Sequence, residues 1–405
     1  MTFIFHKDTN KSQNLPATWD NLFCLPKFVS RKITKMVNLY FDKYIGAPLA
    51  YSFFPAQYSL GNQLVEEGYN IALIGVKSEM NAGNPGSESA PDAIRQQLYA
   101  LRGGFKQTKI ADLGNLKLGK SLSDTYSALK CVVGDLLDQK IIPIVIGGSH
   151  ELTYPIFEGM KEKIQHIRTT MVDCKLDYPY STTDVFEGNT FAKRIIDDKQ
   201  TEEFKLLGYQ GYFCPQPYID KLEGHRCLLV RAGALFRNIM SVEPLLRDTD
   251  LLSIDMSAIR HADSPGYARA ISNGLSGEEI CQIAHYAGLS DSISAFGLFE
   301  ANPTFDNSDQ TASLAAQIIW HFIEGVDNRY GDYPVKDIKR YQERVAIFPA
   351  EQEENIHFFV NRSNGRWWIK IPTQSGDKIY ACNEADYRSA CEGDLPYIWM
   401  RHYMN

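Results

Sequence analysis

The chain lacks any run of about 18 apolar residues, the length a bilayer-crossing helix requires, so no membrane span is expected in its 405 residues. It also lacks a positive charge balance. A formal net charge of −7 leaves no basic footprint of the kind that nucleic-acid phosphates demand. Eight cysteines are scattered without a C-x-x-C pair or a tight framework, so they read as reduced thiols rather than a disulfide scaffold. The opening MTFIFHKDTNKSQNLPATWD has no apolar core of signal-peptide length. A cytoplasmic location is the resulting expectation. Internal repeats and low-complexity tracts are missing too. What is present is ordinary for a globular chain: 44% hydrophobic and 22% charged residues, with length for one large α/β domain, alone or with an appendage.

Residues 1–40 show no sustained periodicity and carry a basic cluster at Arg31, Lys32 and Lys35. They are expected to be a tail or peripheral segment, with Met36 as an alternative start. From about residue 70 the pattern turns regular. Strand-like runs fall at 70–76, 109–114, 141–147, 169–173, 204–209, 227–233, 251–255 and 292–299. Helical patterns at 123–140, 276–288 and 309–325 lie between them, with Ser123 and Ser276 as N-caps and Glu279 completing a capping box. Strands alternating with helices imply a mainly parallel sheet of about eight strands, covered on both faces. The expected α/β domain covers 41–328. After residue 330 the grammar changes. HFFVNRSNGRWWIKIP (357–372) reads as two β-runs around Asn364-Gly365, a strong hairpin signal. KIYACN adds a third strand and DYRSACEG a short helix, so 329–405 reads as a small α+β appendage.

One further absence concerns chemistry. The string MVDCKLD places Asp173 and Asp177 on the loop leaving a strand, with Lys175 between them. A D-x-H-x-D pattern there would aim three ligand atoms at one divalent cation. A protonated lysine has no lone pair to offer. Three other features sit at strand ends. GGSHE (147–151) carries His150, SIDMSAIR (253–260) carries Asp255 and Ser257, and Glu300 closes SISAFGLFE. A single strand-end aspartate is usually a cap or turn former, and a lone histidine after Gly-Gly is usually a hydrogen-bonded loop residue. Four such residues at four strand ends of one parallel sheet read as a site, since open α/β sheets build sites at that edge.

These segments resemble the ureohydrolases (arginase, agmatinase and, most closely, formimidoylglutamase) from about Asn70 to Gly325. NAGNPGSESAPDAIR (81–95) is similar to the family's glycine-rich loop ending in G-P-x-A-I-R, with Ala90 for the glycine. GGSHELTYPIFEG (147–159) resembles the formimidoylglutamase G-G-G-H-E segment, and EGNTF (187–191) its S-G-T-P-F, with Phe191 where arginases place a histidine. FEANPTFDNSDQTASLAA (299–316) is similar to E-x-N-P followed by D-x-x-x-x-T-A-x-x-A-A. The resemblance implies an α/β/α sandwich, a homo-oligomer, two manganese ions activating a bridging hydroxide, and hydrolysis of a C–N bond in a linear amidine or guanidine.

Carried over by position, the ligands of one ion are all present as His150, Asp173, Asp177 and Asp255. The second ion shares Asp173 and Asp255, but its two private ligands read Lys175 and Ser257. Three carboxylates, one ammonium and one divalent ion sum to neutrality; without the ion, like charges raise a carboxylate's pKa. Two arrangements satisfy this count. Either the Lys175 ammonium takes the second ion's place beside one cation, manganese first and zinc as the alternative, or Lys175 bridges two aspartates in a metal-free pocket. Asp173, Lys175 and Glu300 are the catalytic candidates, Glu300 matching the glutamate that receives the amidinium. The basic positions of the formimidoylglutamase loop read Asn84 and Glu88, with Lys193, Arg194, Arg260 and His261 as nearby substitutes. Three readings are open. The chain is a ureohydrolase homologue with a degraded centre, kept for binding, assembly or regulation. It is instead a one-metal hydrolase of a linear amidine, or a partner stabilising an active relative. An amidine-like small molecule is the expected ligand.

Overall fold

The computed structural model describes residues 40–42, 58–60, 68–79, 83–178, 190–223, 226–334, 338–347, 355–374 and 376–403. The expectations for residues 1–39, including Met36, and for Glu187 to Asn189 lie outside the described residues. Among the described residues the main sheet has ten strands: β1 (Phe41–Asp42), β2 (Tyr58–Leu60), β3 (Ile71–Val76), β4 (Ile110–Leu116) and β5 (Ile142–Gly147), then β6 (Ile167–Val172), β7 (Thr201–Tyr209), β8 (Cys227–Arg231), β9 (Leu251–Asp255) and β10 (Ala295–Phe299). Their order is β1-β4-β3-β5-β10-β9-β6-β7-β8, with β2 also on β4. All pairings in this sheet are parallel except β1 with β4. The eight strands read from sequence are β3 to β10. Two short edge strands add to them, too brief to carry a periodicity.

Alternate residues of each central strand enter opposite layers, as the two-residue period of a strand requires. Ile144 and Ile146 join one buried cluster with α1 (Ala90–Ala100), while Val145 joins the other with α2 (Leu122–Asp138), α3 (Thr153–Met160) and α4 (Phe191–Ile196). Three more helices join the first layer: α5 (Val242–Arg247), α6 (Gly277–Gly288) and α7 (Gln310–Asp327). The result is a three-layer α/β/α sandwich. Ser276 caps α6 with Glu279 in a reciprocal capping box. Helix α2 corrects the sequence reading: Ser121 caps it, not Ser123. The reciprocal box needs an acceptor three residues on, and Asp124 stands there for Ser121, whereas Ser123 would meet Tyr126. Among the described residues no helix is long and apolar enough to cross a membrane.

A second, antiparallel sheet follows: β11 (Tyr341–Ile347), β12 (Asn355–Asn361), β13 (Trp367–Thr373) and β14 (Gly376–Cys382). The Asn364-Gly365 hairpin joins β12 to β13. Only Gly365 takes a positive φ, of 73°, so this is not a two-residue turn with both central residues left-handed. The turn is longer, closed by Gly365 N–H to Asn361 O at 2.9 Å. The tandem tryptophans face opposite ways, as strand neighbours must. Trp367 stacks on Tyr387 at 5.1 Å. Trp368, 1% exposed, lies under the Arg247 guanidinium of α5 at 4.6 Å, and Arg247 also donates to Trp367 O at 2.6 Å. That contact docks the second sheet on the sandwich. Trp368→Ala should therefore cost about 3–5 kcal/mol, the usual range for truncating a buried tryptophan. A urea-denaturation midpoint unchanged from wild type would disprove the role of this anchor.

Candidate metal centre

Strand order builds the site. Strands β5, β10, β9 and β6 are consecutive neighbours, so the four chemistry-bearing ends lie side by side at the C-terminal edge. Gly147 and Gly148 let the chain turn there. A Cβ on Gly147 would meet Phe299 at 2.5 Å, and one on Gly148 would meet Ser78 O at 2.0 Å. His150 follows, 2% exposed, its ring edge-on to Phe191 at 5.0 Å and also against Phe299. Its Nε2 is 2.9 Å from Ser253 Oγ, which is 2.6 Å from Thr153 Oγ1. With Nε2–H donating to Ser253, Nδ1 presents its lone pair to the pocket.

That lone pair faces three carboxylates. His150 Nδ1 lies 3.4 Å from Asp173 Oδ2, 3.5 Å from Asp177 Oδ2 and 3.3 Å from Asp255 Oδ2. All four atoms are buried and make no aligned hydrogen bond. They are close without pointing at one another, as ligands around a shared ion are. Donors at about 2.0–2.1 Å from a tetrahedral ion stand about 3.3 Å apart. The residues therefore fit one divalent cation, and the oxygen-rich donor set with one imidazole suits manganese or zinc.

Charge tells the same story. Burial, then the charges of Asp255 and Asp177, pushes Asp173 up to about 7. Burial opposes a charged His150, yet contact with the three aspartates lifts it well above its usual value. Burial also raises Asp177, but the Lys175 ammonium and His150 outweigh it and hold that carboxyl below its ordinary value. The cluster is short of positive charge.

The second ion's place is organised differently. Asp173 Oδ1 accepts from Lys175 N–H at 3.0 Å and from Ser257 Oγ–H at 3.4 Å. Asp255 Oδ1 accepts from Ser257 N–H at 2.7 Å. Both shared carboxylates thus spend their other oxygen on the protein. Lys175 Nζ pairs with Asp177 Oδ1 at 3.1 Å, its side chain 37% exposed. The ammonium does not sit between Asp173 and Asp255, nor does it bridge two aspartates. The lysine charge is therefore spent on Asp177, the aspartate that a second ion would not share.

Glu300 stands at φ 66° in the left-handed region, which turns its side chain back over the strand edge. Its Oε1 accepts His150 N–H at 2.9 Å and its Oε2 accepts Asn84 Nδ2 at 3.0 Å. Burial and the charge of Asp255 raise its carboxyl well above the ordinary range. Asn84 is fully buried and also accepts from Asn302 Nδ2 at 2.8 Å and Ala268 N–H at 3.1 Å. The position read as a lost basic residue is thus a clamp joining three loops around Glu300. Glu88 does not reach the centre and instead faces Glu79. Lys193 and Arg260 form surface pairs with Asp197 and Asp263, Arg194 lies over Tyr154, and His261 is exposed. Sequence reasoning missed Ser253. Its signal was available: it precedes Asp255 by two residues and so shares its face of the strand.

Comparison with known proteins agrees with this geometry. The model of the arginase family matches residues 69–324, more than half of the chain. Formimidoylglutamase of Streptococcus gordonii strain Challis is 26% identical over 279 residues, covering 64% of this chain and 85% of the relative. The Staphylococcus haemolyticus formimidoylglutamase is 22% identical over 253 residues, covering 60% and 81%. The fold matches Trypanosoma cruzi formiminoglutamase solved with manganese at a TM-score of 0.61 and 20% identity, over 66% of this chain and 96% of that one. Bacillus subtilis formimidoylglutamase matches at 0.59 and 19%, over 74% and 94%. With the sheet, the strand-end ligands and a matching family model spanning them, this chain belongs to the arginase family.

Proposed function

We propose that this protein holds a single divalent cation on His150, Asp173, Asp177 and Asp255, and that it serves binding, assembly or regulation rather than the hydrolysis of a two-ion ureohydrolase. One observation carries the reading. Among the described residues no other histidine, cysteine or carboxylate joins those four donors, and the oxygens a second ion would share are engaged by Lys175 N–H and by Ser257. An ion bound there supplies Lewis acidity and acidifies a water ligand. The chain's own groups do the rest. His150 is oriented by Ser253, Lys175 neutralises Asp177, and Glu300 is held by Asn84 and the His150 amide. Manganese is the first expectation, because carboxylate-rich shells suit it.

A second reading is favoured by Glu300 alone. Its carboxylate remains at the neighbouring strand end, where it can receive the amidinium of a linear amidine beside one ion. Elemental analysis of protein purified from manganese-supplemented cells separates the readings when paired with an amidine-hydrolysis assay. One ion per chain with hydrolysis no faster than the blank is the expected result. One ion with turnover that disappears in Glu300→Gln would establish the second reading, and two manganese ions per chain that are both lost in Asp173→Asn would overturn both.

A further inference from the structure

Helices α6 and α7 touch backbone to backbone. A Cβ on Gly288 would stand 2.2 Å from Phe322 O, and one on Gly325 would stand 2.3 Å from His285 O. Only glycine permits that approach, and it fixes what lies one turn away. His285 on α6 comes to face His321 and Glu324 on α7, which share one helix side at i and i+3. His285 Nδ1 is 3.2 Å from Glu324 Oε2, and His321 Nδ1 is 3.5 Å from the same oxygen. One donor atom from each residue lies within 4.8 Å of the other two.

These separations repeat the pattern at the strand edge. They match the edge of a tetrahedral shell, about 3.3 Å. His285 Nδ1 is buried and has no aligned hydrogen-bond partner despite the nearby carboxylate. It lies beside Glu324 as a fellow ligand would, not toward it as a donor would. The side chains of His285, His321 and Glu324 are 26%, 38% and 34% exposed, so the cluster lies at the surface, within reach of solvent. Two imidazoles with one carboxylate select a borderline cation of the zinc class over magnesium or calcium, which take oxygen.

We propose that His285, His321 and Glu324 form a second metal site, for a zinc-class cation, that clips α6 to α7. It shares no residue with the strand-edge centre and does not depend on that centre holding an ion. Zinc chloride titrated into metal-stripped full-length protein tests it, followed by calorimetry and thermal melting. His321 and Glu324 are partly exposed, so changing them leaves the core intact. His321→Ala should bind one zinc fewer per chain than wild type, and Glu324→Gln should bind that zinc at least about tenfold more weakly. In an Asp255→Asn background, which disables the other centre, zinc should still raise the melting temperature, and adding His321→Ala should abolish that rise. Zinc content and melting shifts that are the same with and without His321 would overturn the proposal.

Discussion

Replacing Lys175 with histidine together with Ser257 with aspartate is expected to raise the manganese held at the strand-edge centre from one ion per chain to two. The argument is electrostatic and geometric. At the candidate centre the native chain sets three aspartates, Asp173, Asp177 and Asp255, all at most 2% exposed, against one ammonium. A single divalent cation brings that set to neutrality. The double variant removes the ammonium and adds a carboxylate, so two divalent ions are needed for the same balance. Holding only one would leave two uncompensated negative charges in a buried pocket, which is costly. Position supports the count. Ser257 Oγ already lies 3.4 Å from Asp173 Oδ1, so a carboxylate built there reaches the oxygens that a second ion would share. Lys175 leaves the same loop and donates its own N–H to Asp173, so an imidazole at this position stays near the shared edge instead of extending past it. Elemental analysis of manganese-loaded protein gives the answer, and thermal melting gives a second readout. Stripped of metal, the double variant should melt below wild type and recover when manganese is returned. A content that stays at one ion would mean that the pocket has diverged beyond these two positions.

Arg95→Ala should destabilise the protein by about 3–5 kcal/mol, the range for breaking one side of a buried ion pair. Arg95 sits in the PDAIR segment at the start of α1, fully buried. Its guanidinium grips Asp112 with both arms, Nε to Oδ2 at 2.7 Å and Nη2 to Oδ1 at 3.1 Å, and also donates to Asn115 Oδ1 and Gly114 O. Gly75 makes room, since a Cβ there would stand 2.6 Å from Arg95 Nη1. Removing the arginine takes both of its charge-assisted bonds from the buried Asp112 carboxylate, which Tyr99 O–H and the Gly114 N–H also donate to. Arg95→Lys should recover only part of the loss, because an ammonium cannot reproduce the planar fork. Urea unfolding of Arg95→Ala and of the pair Arg95→Met with Asp112→Leu decides between charge and packing. If the double change is as damaging as the single one, lost volume rather than a stranded charge is responsible.

Much of the fold was legible because its signals are local. Apolar runs of strand length, Ser276 with Glu279, and Asn364-Gly365 each act within a few residues. So was the set His150, Asp173, Asp177, Asp255 and Glu300, since chemistry-bearing residues after apolar strands stand out against a parallel-sheet pattern. Ser121 was misplaced by two residues because a cap depends on which acceptor lies three positions on, not on periodicity. Asn84 was misjudged as a mere loss of charge, because its partners Glu300, Asn302 and Ala268 are more than 180 residues away.

The sequence by itself determined which donors exist, that they stand at strand ends, and that Lys175 and Ser257 occupy the two positions where the resemblance implies ligands of a second ion. Only the tertiary structure decided that β5, β10, β9 and β6 are neighbours, and hence that four distant loops share one pocket. It also decided where the lysine charge goes: to Asp177, not between the shared carboxylates. The closeness of His285 to His321 and Glu324 has the same origin, since glycines in two separate helices permit it. The physical reason is common to all three. Strand order, the direction of a long side chain and the approach of two helices are settled by which surfaces bury one another across the whole chain. No local pattern encodes those choices.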